Sequence, residues 1–290
     1  MTEVHHFAYG PLTPAAAYVM SFVGSLLGLL CTARARASAG ASRANWLALA
    51  ALAIGGTGIW VMHFIAMLGF SVAHTEIRYD VPLTLLSCLT AIAVVAVGLF
   101  LVGFGGSGAP VVIAAGLITG AGVASMHYTG MKAMNMSAQV SYRPALVALS
   151  VVIALVAATV ALWFSVRVTG KAATAGAAAI MGIAVCGMHY TGMAAMRVEA
   201  HHGTGSPSGA GAIDFVLPLV VGVGVVATVL LLIIAMSPTE EDARADAALR
   251  ERLTSRGRPQ GAPDAGGTRA AVPEPPTRTA GEWFGGGPGH

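Results

Sequence analysis

The chain has 290 residues, of which 56% are hydrophobic and only 10% are charged, and its mean hydropathy is +0.74. This composition indicates a polytopic membrane protein rather than a water-soluble domain. The net charge of +3 comes mostly from loops and the tail, so it reflects membrane topology, and we expect no nucleic-acid partner.

Seven apolar segments follow one another along the chain, each about as long as a helix must be to cross 30 Å of hydrocarbon, roughly 20 residues. They cover residues 14–33, 46–68, 82–104, 110–134, 144–166, 174–196 and 214–236. We therefore predict an all-α membrane domain over residues 1–236, with the lipid bilayer as its partner. Glycines inside the second, fourth and sixth segments are predicted to let helix backbones approach closely: Gly55, Gly56, Gly58, Gly120, Gly122, Gly182 and Gly187.

Basic residues are divided unevenly between the two sides of these segments. One side carries Arg34, Arg36, Arg43, Arg167, Lys171 and the arginines of the tail. The other side mixes bases with acids: Arg78, Lys132, Arg143 and Arg197 with Glu76, Asp80, Glu199 and Asp214. Because basic loops stay in the cytoplasm, we predict a multi-pass plasma-membrane protein with its N-terminus outside and its C-terminus in the cytoplasm.

A six-residue motif recurs near the end of the second, fourth and sixth segments. It reads Met62-His63-Phe64-Ile65-Ala66-Met67, then Met126-His127-Tyr128-Thr129-Gly130-Met131, then Met188-His189-Tyr190-Thr191-Gly192-Met193. Successive histidines are separated by the length of two membrane crossings and their loops. The repeat predicts three helical hairpins around a pseudo-threefold axis, an unpaired seventh helix, and three histidines at one depth near the outer face.

Each motif places a methionine one helical turn beyond its histidine, on the same face of the helix. These residues, His63 with Met67, His127 with Met131 and His189 with Met193, are the predicted metal ligands. Met134 and Met196 would extend the stripe by another turn. Met62, Met126 and Met188 point about 100° away, so they are further ligands or packing groups.

Thioether and imidazole together suit copper, especially Cu(I), better than Mg, Ca or Mn. An imidazole in an apolar segment is a functional candidate because its burial is costly. The alternative is that the histidines only make hydrogen bonds between helices and that the methionines only fill space. Cys186 could add a ligand or act as a small hydrophobic residue, and Tyr128 and Tyr190 could hold the imidazoles or simply lie at the membrane interface.

The segment from Ser237 to His290 differs from what precedes it. Its sequence Ser237-Pro238-Thr239-Glu240 predicts a capped cytoplasmic helix that continues to about residue 255. Beyond Arg256 the composition is rich in Gly, Pro and Arg, which predicts a disordered tail. Residues 237–290 are too few to form a catalytic domain, so we expect no enzymatic activity and an unidentified cytoplasmic signalling partner.

The triple motif resembles the MHYT domain, a bacterial seven-helix integral membrane sensory domain. The likeness extends over about residues 5–236 and includes His6-Phe7-Ala8-Tyr9-Gly10, while Phe64 and Ile65 depart from the Tyr and Thr of the motif. The resemblance implies a copper site near the outer face, formed by the motif Met and His residues, that senses oxygen, carbon monoxide or nitric oxide.

Two alternatives to a gas sensor remain at this point. A copper or other metal permease is one, although transport sites usually lie near the midplane of the membrane. A membrane haem protein is the other, since histidines on paired helices can ligate haem iron.

Overall fold

The computed structural model describes residues 4–5, 8–73, 75–200, 207–236 and 248–249. Its long helices are Leu12–Ala37 (α1), Gly40–Leu68 (α2), Val81–Gly105 (α3), Ala109–Lys132 (α4), Pro144–Arg167 (α5), Lys171–Ala195 (α6) and Ala212–Met236 (α7). By length and composition, α1 to α6 can each cross a membrane, and α7 contributes a shorter apolar stretch, Gly224–Met236. The predicted helical polytopic class is confirmed. The predicted tail helix lies outside the described residues except for positions 248–249, and the predicted disordered tail lies outside them entirely.

Among α1 to α6, helices that are consecutive along the chain pack against one another, and α1 also packs against α6. The first six helices therefore close into a ring in chain order, with α7 against α1 and α2. Because the turns between α1 and α2, α3 and α4, and α5 and α6 are short, α2, α4 and α6 all begin at one end of the ring. We call this the basic end, and we call the opposite end, where these three helices finish, the histidine end.

Glycines allow neighbouring helices to touch backbone to backbone. A Cβ atom added to Gly24 of α1 would lie 2.3 Å from the backbone nitrogen of Gly58 in α2, and one added to Gly120 of α4 would lie 2.6 Å from Cα of Leu155 in α5. The packing role predicted for these motif-helix glycines is confirmed for Gly58 and Gly120. It is wrong for Gly187, where an added Cβ would meet nothing within 4 Å.

Helix α2 contains a π-helical segment, Leu52–Val61, directly before the first motif. The sequence predicted an ordinary α-helix here. Almost every residue in the segment is apolar, so no hydrophobic period distinguishes the two kinds of helix. π-helical turns are rare, and those that occur are often at functional sites. The segment therefore draws attention to the adjoining His63.

Short antiparallel strands, which were not predicted, connect the loops at the histidine end. They are Val4–His5 (β1) with Ser71–Val72 (β2), Arg78–Tyr79 (β3) between Met134–Asn135 (β4) and Ala210–Gly211 (β7), and Ala138–Tyr142 (β5) with Met196–Ala200 (β6). Loops from different repeats are thereby hydrogen-bonded to one another. These pairings hold the ends of α2, α4 and α6 in register.

The strands also correct the predicted methionine stripe. Helix α4 ends at Lys132 and α6 ends at Ala195, so Met134 and Met196 lie on β4 and β6 rather than one turn further along a helix. On the helices the stripe ends at Met131 and Met193.

Candidate metal centre

The three motif histidines, which α2, α4 and α6 contribute one each, meet in the centre of the ring. His63 is 1% exposed, and His127 and His189 are fully buried. Nδ1 of His63 lies 2.9 Å from Nδ1 of His189 and 3.1 Å from Nδ1 of His127. Among the described residues, these three form the group whose candidate ligand atoms all lie within 4.8 Å of one another.

The three imidazole rings are arranged with near-threefold regularity. Their centroids are 4.9 Å apart for His63 and His127, 4.9 Å for His63 and His189, and 5.1 Å for His127 and His189. The planes are inclined to one another by 72°, 81° and 84°, so each ring presents an edge to its neighbours. Three side chains that are far apart in sequence are therefore equivalent in space.

Glycines of the motif make room for these rings. A Cβ on Gly130 would lie 2.3 Å from Nε2 of His63, and a Cβ on Gly192 would lie 2.2 Å from Nε2 of His127. His63 and His127 therefore each have Nε2 close to a glycine of the next motif helix and Nδ1 towards the other histidines. The first motif has Ala66 at the corresponding position, and Ala66 is buried.

The protonation chemistry of the cluster favours a bound cation. A neutral imidazole nitrogen carries either one proton or one lone pair, so Nδ1 of His63 can form one good hydrogen bond but has two nitrogen neighbours. A metal ion can accept lone pairs from all three rings at once. Three imidazole nitrogens bound at about 2.0 Å lie about 3.3 Å apart in tetrahedral geometry, a few tenths of an ångström more than the observed separations.

The Nε2 atoms of the three histidines lack the hydrogen bonds that usually accompany metal binding. Nε2 of His63, His127 and His189 is buried and has no hydrogen-bond partner. Metal-bound histidines usually donate this second N–H to a carboxylate, carbonyl or water. For His63 and His127, Nε2 instead faces a glycine of the neighbouring helix, so packing orients these two rings.

Aromatic residues that follow the histidines pack on them edge to face. The ring centroid of Phe64 lies 5.2 Å from that of His63, and Tyr128 and Tyr190 each lie 5.0 Å from the centroid of their own histidine. The hydroxyl of Tyr128 is 2.6 Å from Oγ of Ser150 on α5. Tyr128 therefore ties its histidine helix to the next helix instead of holding an imidazole nitrogen.

The first motif makes the corresponding link with a different residue. The indole Nε1 of Trp60 donates a hydrogen bond to Oγ of Ser87 on α3, over 2.9 Å. Ser87 and Ser150 each donate in turn to a backbone carbonyl three residues earlier. Trp60 and both serines were not among the residues predicted from the sequence. The available signal was that Ser87 and Ser150 follow His63 and His127 by 24 and 23 residues.

The six motif methionines are all buried: Met62, Met67, Met126, Met131, Met188 and Met193. Met62 packs in a small cluster with Ala17 and Ala66, to which the half-buried Cys186 and Tyr190 contribute. Cys186 is not part of the group formed by the three histidine nitrogens. The structure thus brings the histidines together and places Cys186 beside them in the packing of α6 against α1 and α2.

An apolar cavity of about 50 Å³ lies one helical turn from the histidines, towards the basic end. Ile59, Val123 and Val185, which precede the three histidines by four residues, all line it. One water needs about 10–15 Å³, so the cavity is several times larger than that. Apart from Ser25 and Thr119 its lining is apolar, which disfavours water. This cavity was not predicted from the sequence, because an apolar segment carries no signal of a void between helices.

Two alternative chemistries fit the site poorly. A haem iron takes its axial ligands from opposite faces of a porphyrin, and three rings whose centroids are about 5 Å apart leave no space for that plane. A transport site is expected near the middle of the membrane, whereas each histidine is five or six residues from the end of a helix of 24 to 29 residues.

The fold and the site together define a polytopic membrane protein built on an internal triple repeat, with one histidine from each repeat at a shared centre. Three segments, residues 56–115, 120–178 and 182–245, match the MHYT family, described as a bacterial signalling protein N terminal repeat. These matches extend over more than half of the chain, so the chain belongs to the MHYT family. The resemblance predicted from the motifs is confirmed.

Two of its relatives come from Pseudomonas aeruginosa. The chain is 37% identical over 195 residues to the bifunctional diguanylate cyclase/cyclic di-GMP phosphodiesterase MucR, an alignment of 66% of this chain and 28% of that protein. It is 35% identical over 202 residues to the cyclic di-GMP phosphodiesterase NbdA, covering 68% of this chain and 25% of the relative.

A more distant relative is the signaling protein YkoW of Bacillus subtilis, 28% identical over 199 residues, or 66% of this chain and 24% of YkoW. The chain thus spans about a quarter of the length of the curated relatives it matches. No solved structure matches the chain.

Proposed function

We propose that this protein is a membrane-embedded bacterial sensor that binds copper through the three motif histidines and detects oxygen, carbon monoxide or nitric oxide. The observation that carries the proposal is the convergence of three buried Nδ1 atoms from three repeats on one point. No other described group of side chains combines metal-binding chemistry with this degree of burial. The membership of the chain in a signalling family supports the sensory role.

Copper is the proposed metal because of the residues around the imidazoles. Thioether sulfur selects Cu(I), and each motif brings two buried methionines to the neighbourhood of its histidine. Met67, Met131 and Met193 are the proposed additional ligands, and the buried Met62, Met126 and Met188 are further ligands or packing groups. Copper bound there would supply affinity for small diatomic ligands, while the chain excludes water and holds the three rings.

The apolar cavity next to the histidines supports a small apolar ligand. Its wall is formed by residues such as Ile59, Val123 and Leu99, and the lining side chains carry no charge. A diatomic gas dissolves readily in such a space, whereas an ion or a sugar would lose its hydration there without compensation. The cavity therefore provides a place where gas molecules collect beside the metal centre.

We propose that α7 completes seven spans, arranged as three hairpins plus one, in the plasma membrane with the basic end in the cytoplasm. Among the described residues, the basic end carries Arg34, Arg36, Arg43, Arg167 and Lys171 and no carboxylate. In a variant whose native cysteines are replaced, an impermeant thiol reagent should label Ser141→Cys in intact cells and Ser107→Cys only after lysis. The reverse pattern would invert the orientation.

The output of the sensor is proposed to leave through the basic end. MucR and NbdA are named as enzymes of cyclic di-GMP metabolism, but only about a quarter of each aligns with this chain. We propose that the aligned region senses and does not catalyse. An unidentified cytoplasmic signalling partner would receive the change at the basic end.

The test of the metal proposal is elemental analysis of the purified full chain. Wild type and His74→Ala, which changes a histidine outside the motifs, should retain copper. A variant in which His63, His127 and His189 are all alanine should lose it. Zinc in place of copper would contradict the proposed metal, and full copper in the triple variant would contradict the proposed site.

The test of the gas proposal uses the cavity. Reduced wild-type protein should show an infrared band of bound carbon monoxide. Val123→Phe, which fills the cavity, should weaken carbon monoxide binding but keep its copper, whereas Val123→Ile is the conservative control. Unchanged binding in Val123→Phe would show that the cavity is not part of the gas site.

A further inference from the structure

A second apolar space lies on the outside of the ring, between α5 and α6. It is a groove of about 350 Å³, and every residue that lines it is hydrophobic. Val156 of α5 and Ile180 of α6 are two of these residues, and they are 58% and 54% exposed. Because the outer surface of a membrane domain faces lipid, the groove is open to the hydrocarbon of the bilayer.

The groove lies halfway along the two helices that form it. The midpoint of α5 lies beside Val156, and that of α6 lies between Ile180 and Ala184. Both helices are long and apolar enough to cross a membrane, so the groove opens at the level of the hydrocarbon core. Apolar solutes leave water for hydrocarbon, and small apolar gases are therefore concentrated at this level.

Three residues line both this groove and the apolar cavity beside the histidines. They are Ala157, Met181 and Ala184. Met181 is 4% exposed, and its unbranched side chain has three rotatable bonds, so it can move aside while the helix stays in place. The boundary between the groove and the cavity therefore consists of one flexible side chain and two methyl groups.

Two other pockets connect less closely with the cavity. A groove of about 290 Å³ between α2, α3 and α7, which Trp60 and Cys88 help to line, shares no residue with the cavity. A pocket of about 250 Å³ at the basic end shares Leu99, which is 1% exposed, and its wall includes Ser107 and Ser165. Of the three, the groove between α5 and α6 is the one that combines an apolar wall with several shared residues.

We propose that the groove between α5 and α6 is a lateral entrance, through which an apolar diatomic ligand passes from the lipid hydrocarbon into the cavity, with Met181 as its gate. This inference rests on the proposed gas site and adds the route by which the ligand arrives. An apolar route excludes ions and polar solutes from the histidines, because these would lose their hydration without compensation. The protein therefore samples gas dissolved in the membrane.

The test measures passage with xenon, which enters apolar cavities without needing a metal ligand. Saturation-transfer xenon NMR on the full chain in nanodiscs reports exchange with the cavity, whose signal is the one that Val123→Phe abolishes. Val156→Trp covers the lateral entrance from the lipid side and should slow this exchange about tenfold, which corresponds to a barrier higher by about 1.4 kcal/mol. Met181→Ala removes the gate and should speed the exchange.

The matched control is Val97→Trp on α3. Val97 is 46% exposed and lines neither the groove nor the cavity, so this variant should exchange xenon as wild type does. Equal exchange in wild type, Val156→Trp and Met181→Ala would make the groove a resting surface for acyl chains and overturn the lateral entrance. Equal slowing by Val156→Trp and Val97→Trp, or the absence of a cavity signal in wild type, would also overturn it.

Carbon monoxide separates a failure of the lateral entrance from a failure of the proposed gas site. Val156 does not line the cavity, so Val156→Trp should bind carbon monoxide with the equilibrium affinity of wild type, measured from the infrared band. A lowered affinity would make the groove part of the binding site and overturn its role as an entrance. If Val156→Trp slows xenon but wild type binds no carbon monoxide, the gas site is wrong and the entrance stands for apolar solutes. If carbon monoxide binds and Val156→Trp leaves xenon exchange unchanged, the entrance is wrong and the gas site stands.

Discussion

The first and second repeats place their histidine rings at similar centroid distances but support them with different chemistry. In the second repeat an α-helix leads to His127, and the hydroxyl of Tyr128 bonds Ser150 of the next helix. In the first repeat a π-helical segment leads to His63, and Trp60 bonds Ser87 of the next helix. Both repeats therefore join the histidine helix to the following helix by a hydrogen bond from an aromatic side chain to a serine, although the aromatic residue differs.

The two repeats also differ in their place within the histidine cluster. His63 has hydrogen-bonding contact with both other histidines through Nδ1, whereas His127 has such contact with His63. Phe64 packs between Trp60 and Tyr79, at centroid distances of 4.9 and 5.9 Å, so the surroundings of the first motif are apolar. Burial raises the pKa of Tyr79, which keeps its phenol neutral beside this cluster.

The largest expected effect is the loss of metal affinity when one histidine of the cluster is removed. His63→Ala removes the ring that joins the other two, whereas His127→Ala leaves His63 and His189 in contact over 2.9 Å. Both variants should lose metal affinity by on the order of 100-fold or more, with the larger loss for His63→Ala. Equilibrium dialysis against a competing copper chelator measures both affinities. Equal losses would mean that the bound metal makes the three histidines equivalent.

A smaller but sizeable effect is expected from the glycine that faces His63. Gly130→Ala puts a Cβ 2.3 Å from Nε2 of His63, so the ring or helix α4 must move. Overpacking of this kind costs about 1–3 kcal/mol, and displacement of the ring should also lower metal affinity. Thermal unfolding in detergent, with and without copper, reports both quantities.

The matched control for that variant is Gly187→Ala on α6, where the added Cβ meets nothing within 4 Å. It should be neutral or slightly stabilising, because alanine favours a helix more than glycine does. If Gly130→Ala were as well tolerated as Gly187→Ala, the close packing of His63 against α4 would be wrong.

The smallest expected effects come from exchanging Phe and Tyr between the first two motifs. Tyr128→Phe removes the hydroxyl bound to Ser150 and should cost about 0.6 kcal/mol, the average for a hydrogen bond between membrane helices. Its counterpart, Phe64→Tyr, adds a hydroxyl to a side chain that is 2% exposed. A buried hydroxyl without a partner costs about 1–3 kcal/mol, so Phe64→Tyr should be the more damaging variant.

The pair Tyr128→Phe and Ser150→Ala supplies the control through a double-mutant cycle measured by chemical unfolding. The two changes should be non-additive because they remove the same hydrogen bond. Additive effects would show that the 2.6 Å contact contributes nothing to stability. If Phe64→Tyr matched wild type, the first repeat would accept the polar chemistry of the second.

The amino-acid sequence alone determined the membrane class, the positions of the apolar helices to within a few residues, and the three histidines as the candidate site. These properties follow from one-dimensional signals: apolar length, a motif repeated at a constant interval, and the cost of placing an imidazole in an apolar segment. The membership in the MHYT family followed from the same motif.

Only the tertiary structure decided which atoms meet. The approach of the three Nδ1 atoms, the glycine walls behind Nε2, the π-helical segment before His63, the Trp60 to Ser87 link and the apolar cavity depend on how each helix is rotated and offset against its neighbours. Apolar residues surround most of these helices on all sides, so the sequence carries no period from which that rotation could be derived. The strands at the histidine end were hidden for a related reason, since most contain only two residues and pair across loops that are far apart in the chain.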